Sequence, residues 1–413
     1  MRPGMGVSCS GCEPALLWPS GGQQQRRPGD VAIRAVTGQR CRGSRGRCDI
    51  SGPASEWEPL LSDSQAGQRE VVITIGELGE FGLIAAITDR MAAVSAQSAG
   101  GSDWAAEGRV ILGAGDDAAV IEAPDRRVVA TADMLIEGRH FRRDWSSAAD
   151  IGHKAAARNL ADVAAMGAVP TALLVCFAGP PALEVDWVLE LAAGIAAECA
   201  GTGAQVAGGD TSNADSVLLA ITALGDLVGR APVTRSGARP GDVVAIAGTL
   251  GAAAAGLDLL RTDSEIAADG ALGELVRAHR RPSPPYAAGR QAAQLGATSM
   301  IDVSDGLIAD LGHVAAASGV RFELDSARLG VEPIAWVAAL REAASRLPGS
   351  RDGFGWLRWV LTGGDDHALV ATFPPDIVLP PTWTVAGTIA KGRGVAVDGQ
   401  IWSEAGGWEH FRS

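Results

Sequence analysis

Lysine is almost absent from this sequence of 413 residues: Lys154 and Lys391 are its only lysines, and every other formal positive charge is an arginine. The shortage excludes a P-loop, which requires a lysine after its glycine-rich turn, and no G-x-x-x-x-G-K-[ST] is present. It also excludes a protein-kinase fold, which needs a strand lysine and an H-R-D motif. An enzyme with this sequence that handles nucleotide phosphates must therefore neutralise them with arginines and metal ions.

Charge and hydropathy exclude two further classes of protein. The 48 acidic and 35 basic residues give a net charge of −13, which argues against a general nucleic-acid binder. No uncharged apolar run reaches the roughly 18 residues that a membrane span needs. The first residues also lack the apolar core and cleavage pattern of a signal peptide. We therefore expect a cytoplasmic protein with no membrane or nucleic-acid partner.

The cysteines do not form a disulfide framework in a chain of this size. The sequence contains Cys9, Cys12, Cys41, Cys48, Cys176 and Cys199. A zinc site from the first four is disfavoured, because the second pair has an unusual spacing and no fold pattern surrounds it. The last two lie in apolar runs and are expected to be core residues.

Residues 1–70 differ in composition from the rest of the chain. Gly, Pro, Gln, Ser and Arg dominate this segment, and no helical or strand period persists in it. We expect a disordered extension. The alternative is a wrongly assigned stretch upstream of a true start near Val71 or Val72.

After residue 70, strand-like runs alternate with helix-like runs, which predicts an α/β fold. The predicted strands are 127–132, 171–177, 205–207, 217–227, 243–247, 298–303 and 368–373, and the predicted helices are 148–166, 185–199, 252–260, 285–295, 306–317 and 356–360. The segment 230–241 is rich in Pro and Gly and marks a boundary. We therefore expect an N-terminal α/β domain over 71–229 and a C-terminal α/β domain over 230–413.

Short turns with aspartates recur along the chain. They read G-A-G-D-D (113–117), T-A-D (131–133), N-L-A-D (159–162), G-G-D-T (208–211), D-V-S-D-G (302–306) and G-G-D-D (363–366). A single such turn usually satisfies only its own backbone. Carboxylates from all of these turns would repel one another at one place unless cations lay between them. Hard cations with oxygen ligands, Mg²⁺ first, are the natural partners.

Asp162 and His140 are candidates of a different kind. Asp162 lies inside a predicted helix, where Arg158, four residues earlier, could pair with it at the surface. Its apolar neighbours favour instead a carboxylate with a strong partner such as a metal ion. The histidines show no H-E-x-x-H or other metal spacing. His140 follows the acidic turn at Asp133 and is a candidate for contact with the substrate.

Taken together in chain order, the motifs closely resemble those of the thiamine-monophosphate kinase family. They are G-A-G-D-D-A-A-V, T-A-D-x-L-x-E-G-x-H-F, K-A-x-A-x-N-L-A-D-V-A-A-M-G-A-x-P, G-G-D-T, T-R-S-G-A-R-P-G-D, R-P-S-P, D-V-S-D-G-L-x-x-D-L-G-H and T-G-G-D-D-H-A-L. The resemblance covers about residues 72–413. It implies the two-domain fold of aminoimidazole ribonucleotide synthetase, in which the N-terminal sheet pairs with that of a second subunit and a C-terminal α/β domain follows. It therefore also implies a homodimer.

The resemblance implies roles for individual residues by matching motif. The implied metal ligands are Asp116, Thr131, Asp133, Asp162, Asp210, Asp302 and Asp305. The implied ATP contacts are Gly209, Asp210, Arg235 and Ser304. The implied contacts with thiamine phosphate are His140, Asp365 and Trp408. The implied reaction is phosphorylation of thiamine monophosphate to thiamine diphosphate by direct in-line transfer from ATP at a site with several Mg²⁺ ions.

Two residues depart from the family pattern. Ala132 stands where a hydroxyl side chain is common, and Asp365 stands where the family usually has Glu. Neither change removes a metal-binding carboxylate. The nucleophile would be the substrate phosphate, which is mostly dianionic at neutral pH because its second pKa is about 6. A general base is therefore unnecessary, which suits a chain with no evident Ser-His or Cys-His pair.

Other ATP-using members of the same superfamily are alternatives. Selenophosphate synthetase needs a reactive Cys or selenocysteine in an N-terminal loop, and the hydrogenase-maturation dehydratase needs a C-terminal Cys, whereas this chain ends in His-Phe-Arg-Ser. Aminoimidazole ribonucleotide synthetase has D-S-V-G-T-K where this chain has D-M-L-I-E-G from Asp133 to Gly138. A non-catalytic Mg-nucleotide sensor is the alternative from a different class.

Overall fold

A computed structural model of the chain describes residues 72–97, 109–114, 118–262, 270–347, 355–404 and 406–408. All of these residues belong to one compact unit, Glu70–Ser413. The predicted extension over residues 1–70 and the candidate metal ligand Asp116 lie outside the described residues.

Helices and strands alternate along most of the described chain. The helices are α1 (Ile75–Leu78), α2 (Glu80–Gln97), α3 (Ala148–Ala165), α4 (Val185–Thr202), α5 (Ala252–Thr262), α6 (Gly270–Arg280), α7 (Tyr286–Leu295), α8 (Leu307–Ser318), α9 (Ser326–Leu329), α10 (Val337–Arg346) and α11 (Leu357–Thr362). The strands are β1 (Val110–Leu112), β2 (Val120–Ile121), β3 (Val129–Ile136), β4 (Val169–Gly179), β5 (Gln205–Asn213), β6 (Leu218–Asp226), β7 (Val243–Ala247), β8 (Ser299–Asp302), β9 (Val320–Leu324), β10 (Leu369–Phe373), β11 (Thr384–Lys391), β12 (Gly394–Val397) and β13 (Gln400–Ile401). The predicted α/β class is confirmed. Every predicted element overlaps an observed one, whereas α1, α2, α6, α9, α10, β1, β2, β9, β11, β12 and β13 were not predicted.

The first half of the described chain builds a four-stranded sheet in the order β3-β6-β4-β5. Strand β6 is antiparallel to both β3 and β4, and β5 runs parallel to β4. Helices α3 and α4 cover one face of this sheet, and Leu160, Ile195 and Leu219 are among the side chains fully buried there. The helices approach closely because both carry glycine at the crossing: a Cβ on Gly194 would lie 2.1 Å from the carbonyl oxygen of Ala149.

The other face of the four-stranded sheet is open and apolar. On β6, fully buried side chains alternate with half-buried ones, as expected for a strand with one covered face. The open face carries Ala132 of β3 and, aligned across the sheet, Met134 of β3, Ala220 of β6 and Cys176 of β4. Cys176 is exposed, so its prediction as a core residue is wrong, because its position in the strand places it on this face. Cys199 is buried, as predicted.

The second half builds a seven-stranded sheet in the order β13-β12-β9-β11-β7-β10-β8. Its strands pair antiparallel except for β12 and β9, which are parallel. Ile246, Leu259 and Phe322 are fully buried on one side of this sheet, and Phe373 packs against Trp383 on the other. The turn-rich segment 230–241 connects β6 of the first sheet to β7 of the second. The assignment of 71–229 and 230–413 as separate domains stays a prediction.

None of the helices in the described ranges combines the length and apolar character required to cross a bilayer.

Candidate functional site

Helix α3 presents a row of charged side chains toward both sheets. Lys154, Arg158 and Asp162 are spaced four residues apart, so they share one face of the helix. The helix begins with a capping box in which Ser147 and Asp150 each accept from the other's backbone N–H. The rest of α3 is rich in alanine and is almost wholly buried, so the row of charges lies in an apolar setting.

The middle of β3 lies against this face of α3. The hydroxyl of Thr131 donates to Oδ2 of Asp162 over 2.7 Å. The backbone N–H of Asp133 donates to Oδ1 of Asn159 over 3.1 Å, and the Asp133 carboxylate accepts from Nε of Arg158 over 2.6 Å. The structure therefore brings together Thr131, Asp133 and Asp162, three of the candidate metal ligands, whose role as ligands stays a prediction.

Asp302, at the end of β8 in the second sheet, lies near Asp162, as does Asp133. These three carboxylates are called the acidic group below. Its Oδ2 lies 3.1 Å from Nδ1 of His367, and both side chains are buried. Burial first, and then the charge of Asp302, raise the pKa of the Asp162 carboxyl to about 6, while the hydrogen bond from Thr131 and the proximity of His367 act in the opposite direction. Asp162 and Asp302 are therefore close enough to repel each other, although they come from different halves of the chain.

The loop after α11 places Asp365 against Lys154 and Arg158 of α3, and His367 against Asp302 of β8. Asp365 and His367 adopt left-handed backbone conformations with φ of 68° and 53°, which non-glycine residues rarely adopt. The Asp365 carboxylate accepts from Nζ of Lys154 over 2.9 Å and from Nη1 of Arg158 over 3.1 Å. Burial opposes ionisation of Asp365, but Lys154 and Arg158 outweigh it and hold the pKa of this carboxyl well below its usual range.

Two buried carboxyls hold loop backbone in place. Oδ2 of Asp310 accepts from the backbone N–H groups of Ser304, Asp305 and Gly306, each over 3.1 Å, and so shapes the D-V-S-D-G turn. Asp366 accepts from the N–H groups that precede and open helix α5. Burial is the largest cause that raises the pKa of each of these two carboxyls to about 7.

The C-terminal glycine-rich stretch packs beside the D-V-S-D-G turn. A Cβ on Gly407 would lie 2.3 Å from the carbonyl oxygen of Asp305, so only glycine allows this approach. The backbone N–H of Trp408 donates to the same carbonyl over 3.0 Å. The Trp408 side chain is 54% exposed, which places an accessible indole near Asp305.

Other predicted site residues lie away from this group. Asp133 is on β3 and Asp210 is on β5, at opposite edges of the four-stranded sheet, so about three strand spacings of 4.8 Å separate them. Asp210 is also aligned with Cys176 on the open face, whereas Asp133 faces α3. The predicted ATP contact Gly209 precedes Asp210 on the same edge strand. Within one chain, Asp133 and Asp210 therefore do not meet.

His140 and Arg235 lie on turns outside the acidic group. Nδ1 of His140 accepts from the backbone N–H of Ile136 over 3.0 Å, which leaves Nε2 as the protonated nitrogen of the neutral ring. Arg235 is exposed in the turn-rich segment, and its carbonyl accepts from the hydroxyl of Ser318.

The chemistry of the acidic group fits a hard cation. Across the part of the chain that the structure describes, no three His, Cys, Asp or Glu side chains converge into a ready metal centre. The oxygen atoms of Thr131, Asp162 and Asp302 are nevertheless of the kind that Mg²⁺ prefers. Burial first, and then the nearby charge of Asp302, disfavour the ionised form of Asp162 and raise its pKa. A bound divalent cation would supply positive charge that favours the ionised form.

Sequence reasoning missed several residues of the site. Arg158 does not pair with Asp162 at the surface: its guanidinium is largely buried and binds Asp133 and Asp365 instead, so that alternative is wrong. Lys154 and His367 were also missed. The spacing of four residues from Lys154 to Arg158 to Asp162 was the available signal, because it places the three side chains on one face of a predicted helix.

Comparisons with known proteins agree with this architecture. Residues 115–227 match the family model described as AIR synthase related protein, N-terminal domain. A thiamine-monophosphate kinase from Mycobacterium tuberculosis (strain ATCC 25618 / H37Rv) is 43% identical over 339 residues, which cover 82% of this chain and 93% of the relative. The crystal structure of thiamine-monophosphate kinase from Stenotrophomonas maltophilia K279a aligns with a TM-score of 0.64 and 35% identity over 77% of this chain and 97% of that one.

Another similar solved structure is a complex with ligands. AaThiL complexed with AMPPCP and TMP aligns with a TM-score of 0.63 and 31% identity, and the alignment covers 83% of this chain and 100% of that chain. The two sheets and the acidic group between them thus define an AIR synthase-related protein. Within that class, the chain belongs to the thiamine-monophosphate kinase family, and it is an enzyme of the kinase type.

Proposed function

We propose that this enzyme transfers the γ-phosphoryl group of ATP directly to the phosphate of thiamine monophosphate, which forms thiamine diphosphate. The observation that carries the proposal is the convergence of Asp162, which accepts from Thr131, and Asp302, which contacts His367, from the two halves of the chain. Such a site binds cations, and cations are what two anionic substrates need in order to meet. The similarity to relatives named for this activity supports the choice of substrates.

The described residues supply positioning and charge. We assign Thr131, Asp133, Asp162, Asp302 and Asp305 to the holding of Mg²⁺, with Asp116 as a further ligand outside the described residues. When bound, Mg²⁺ would neutralise and orient the phosphates. The substrate phosphate is already a nucleophile at neutral pH, so no residue has to remove a proton from it. In-line transfer then requires only that the two phosphates be held end to end.

The two substrates would approach from different sides of the acidic group. We assign Gly209, Asp210, Arg235 and Ser304 to ATP, and His140 and Trp408 to thiamine monophosphate. The accessible indole of Trp408 suits stacking on a cationic ring. Asp365, the third predicted substrate contact, has both carboxylate oxygens bound to Lys154 and Arg158. We therefore propose that Asp365 acts on the substrate through these two cations.

A homodimer would complete the site. Asp210 lies too far from Asp133 to share a ligand with it in one chain, and it lies at the edge of an open apolar sheet face. We propose that a second copy covers this face, so that Asp210 of one subunit serves the acidic group of its partner. Each subunit would then comprise two domains, 71–229 and 230–413, each with its own large sheet. Use of ATP and Mg²⁺ supports a cytoplasmic location.

The decisive experiment is an assay of the purified chain with ATP, Mg²⁺ and thiamine monophosphate. The expected product is thiamine diphosphate, with the label of γ-phosphate-labelled ATP in its terminal phosphate. Free thiamine should be a poor substrate, because it offers a hydroxyl and the site provides no base for it. Equal turnover of thiamine and its monophosphate contradicts the mechanism, whereas ATP binding without any transfer would favour a nucleotide sensor or another member of the superfamily.

A further inference from the structure

Arg158 forms an ion pair with Asp133, one of the predicted metal ligands. Its side chain is 12% exposed, and its Nε is 2.6 Å from Oδ2 of Asp133. Its Nη1 is 3.1 Å from Oδ1 of Asp365, so the guanidinium spans two carboxylates from different halves of the chain. Position 158 falls on an unspecified residue of the motif K-A-x-A-x-N-L-A-D, so the family resemblance assigns Arg158 no role.

The charges of the site fall into two groups. Asp133 and Asp365, which are partly exposed, are matched by the more deeply buried Arg158 and Lys154, which makes a group of zero net charge. The carboxylate of Asp162, by contrast, accepts from an uncharged hydroxyl. A divalent cation that approaches Asp162 meets unmatched negative charge, whereas one that approaches Asp133 meets the positive charge of Arg158 first.

We propose that Arg158 competes with the divalent cation for Asp133, so that Asp133 becomes a metal ligand only when Arg158 gives up its Nε contact. The inference rests on the proposed function, which assigns Asp133 to the metal. Oδ2 of Asp133 accepts from Arg158 and Oδ1 accepts from the backbone N–H of Met134, so both carboxylate oxygens are already engaged, and the like charges of a guanidinium and a cation repel at this distance. Occupancy of one therefore lowers occupancy of the other.

The geometry also indicates how Arg158 can release Asp133. Its Nη1 contact with Asp365 can persist while the Nε contact breaks, because the guanidinium has five N–H donors and the two contacts use different ones. The released donors suit phosphate oxygens, which guanidinium binds in the same planar fashion as carboxylate. The cation would then bind Asp133, and a phosphate would bind the released donors of Arg158. Each charged group would still face a group of opposite charge.

The test is a measurement of Mn²⁺ binding by electron paramagnetic resonance, on the full chain without ATP or thiamine monophosphate. Arg158→Gln should bind Mn²⁺ about 5- to 100-fold more tightly than the wild type, the range typical of coupled sites. Arg277→Gln is the matched control, because Arg277 pairs with Glu274 on an exposed face of α6 and its loss changes the net charge equally. This control should bind as the wild type does.

A second pair of variants localises the effect. In an Asp133→Asn background, Arg158→Gln should produce no tightening, since the contested carboxylate is gone. Arg158→Lys keeps the charge but loses the planar contact, and its affinity should lie between those of wild type and Arg158→Gln. If Arg158→Gln does not fold, the Mn²⁺ affinity of Arg158→Lys still tests the proposal.

Several results would overturn the proposal. They are unchanged or weaker Mn²⁺ binding in Arg158→Gln and Arg158→Lys, tightening that persists in the Asp133→Asn background, and absence of binding in every variant. If Mn²⁺ binding by the wild type is too weak to detect and binding by Arg158→Gln is measurable, the result supports the proposal. Because these measurements contain no substrate, they can fail while the enzyme still phosphorylates thiamine monophosphate, and a failed turnover assay leaves them interpretable.

Discussion

Nδ1 of His367 lies 3.1 Å from Oδ2 of Asp302, in a buried contact between the last acidic loop and the end of β8. The contact exists although His367 has a left-handed φ of 53°, a conformation that costs about 1 to 3 kcal/mol. Its Nε2 has no hydrogen-bond partner among the described residues. The imidazole therefore acts through Nδ1, where it fixes the orientation of the Asp302 carboxylate.

Replacement of His367 should affect the requirement for metal. His367→Phe removes the N–H that orients Asp302, and we expect kcat/KM at limiting Mg²⁺ to fall about 10- to 100-fold, as for other partners of metal ligands. His367→Asn keeps an N–H donor and should lose less. The measurement is the initial rate against Mg²⁺ concentration, and an unchanged half-saturation in His367→Phe would show that Asp302 needs no such support.

Shared sites predict complementation between inactive subunits. Asp133→Asn and Asp210→Asn should each lower the rate about 10²-fold or more as pure proteins, because each removes charge from the metal. When the two variants are mixed in equal amounts and allowed to exchange, half of the dimers hold one intact site, so activity should recover to about a quarter of wild type. No recovery, with exchange verified by a mass label, would contradict the proposed dimer.

Stability should depend on pH through Asp366. Burial raises the pKa of Asp366 to about 7 against the N–H bonds from Ala253 and Gly251, whereas an unfolded Asp titrates at about 4. Between these values the folded chain binds more protons than the unfolded chain, so the contribution of Asp366 to the free energy of unfolding falls as pH rises through this window. Asp366→Asn should flatten the dependence by roughly 1 kcal/mol per pH unit. Parallel curves from urea unfolding of the two proteins would refute this.

The crossing of α3 and α4 should not accept a methyl group. A Cβ on Gly194 would lie 2.1 Å from the carbonyl oxygen of Ala149, so Gly194→Ala must separate the helices and should cost about 1 to 3 kcal/mol. Gly201→Ala, in the same helix, is the control, because its Cβ meets no atom within 4 Å. That change should stabilise the chain by about 0.5 to 1 kcal/mol. Equal melting temperatures for the two variants would contradict the packing described.

Trp408 should contribute to binding of the substrate ring. Its side chain is 54% exposed, which argues against a role in sealing the core. Loss of stacking on a cationic ring should raise the KM for thiamine monophosphate some 3- to 30-fold in Trp408→Ala, with the KM for ATP little changed. Trp383, buried against Phe373, is the control, since Trp383→Ala should lower the melting temperature instead. A lower melting temperature for Trp408→Ala with both KM values unchanged would show that Trp408 is structural.

Local patterns predicted the elements of the site better than its contacts. Asp162 was recognised as a carboxylate in need of a strong partner because its neighbours in the helix are apolar. The partners of Arg158 could not be predicted in this way, since Asp133 and Asp365 lie 25 and 207 residues away in the sequence. Asp365 and Asp366 show the same limit: they are adjacent, yet cations lower the pKa of the first and burial raises that of the second. Only tertiary contacts distinguish them.

The open face of the four-stranded sheet has a consequence for how the enzyme responds to its own concentration. If a second copy covers Met134, Cys176 and their neighbours, dissociation exposes this face and separates Asp210 from the site it serves. Activity and resistance to heat should then fall together on dilution, because mass action links folding to association. Alkylation by a thiol reagent, followed at Cys176 itself, should follow the same dilution curve and so report the population of free subunits.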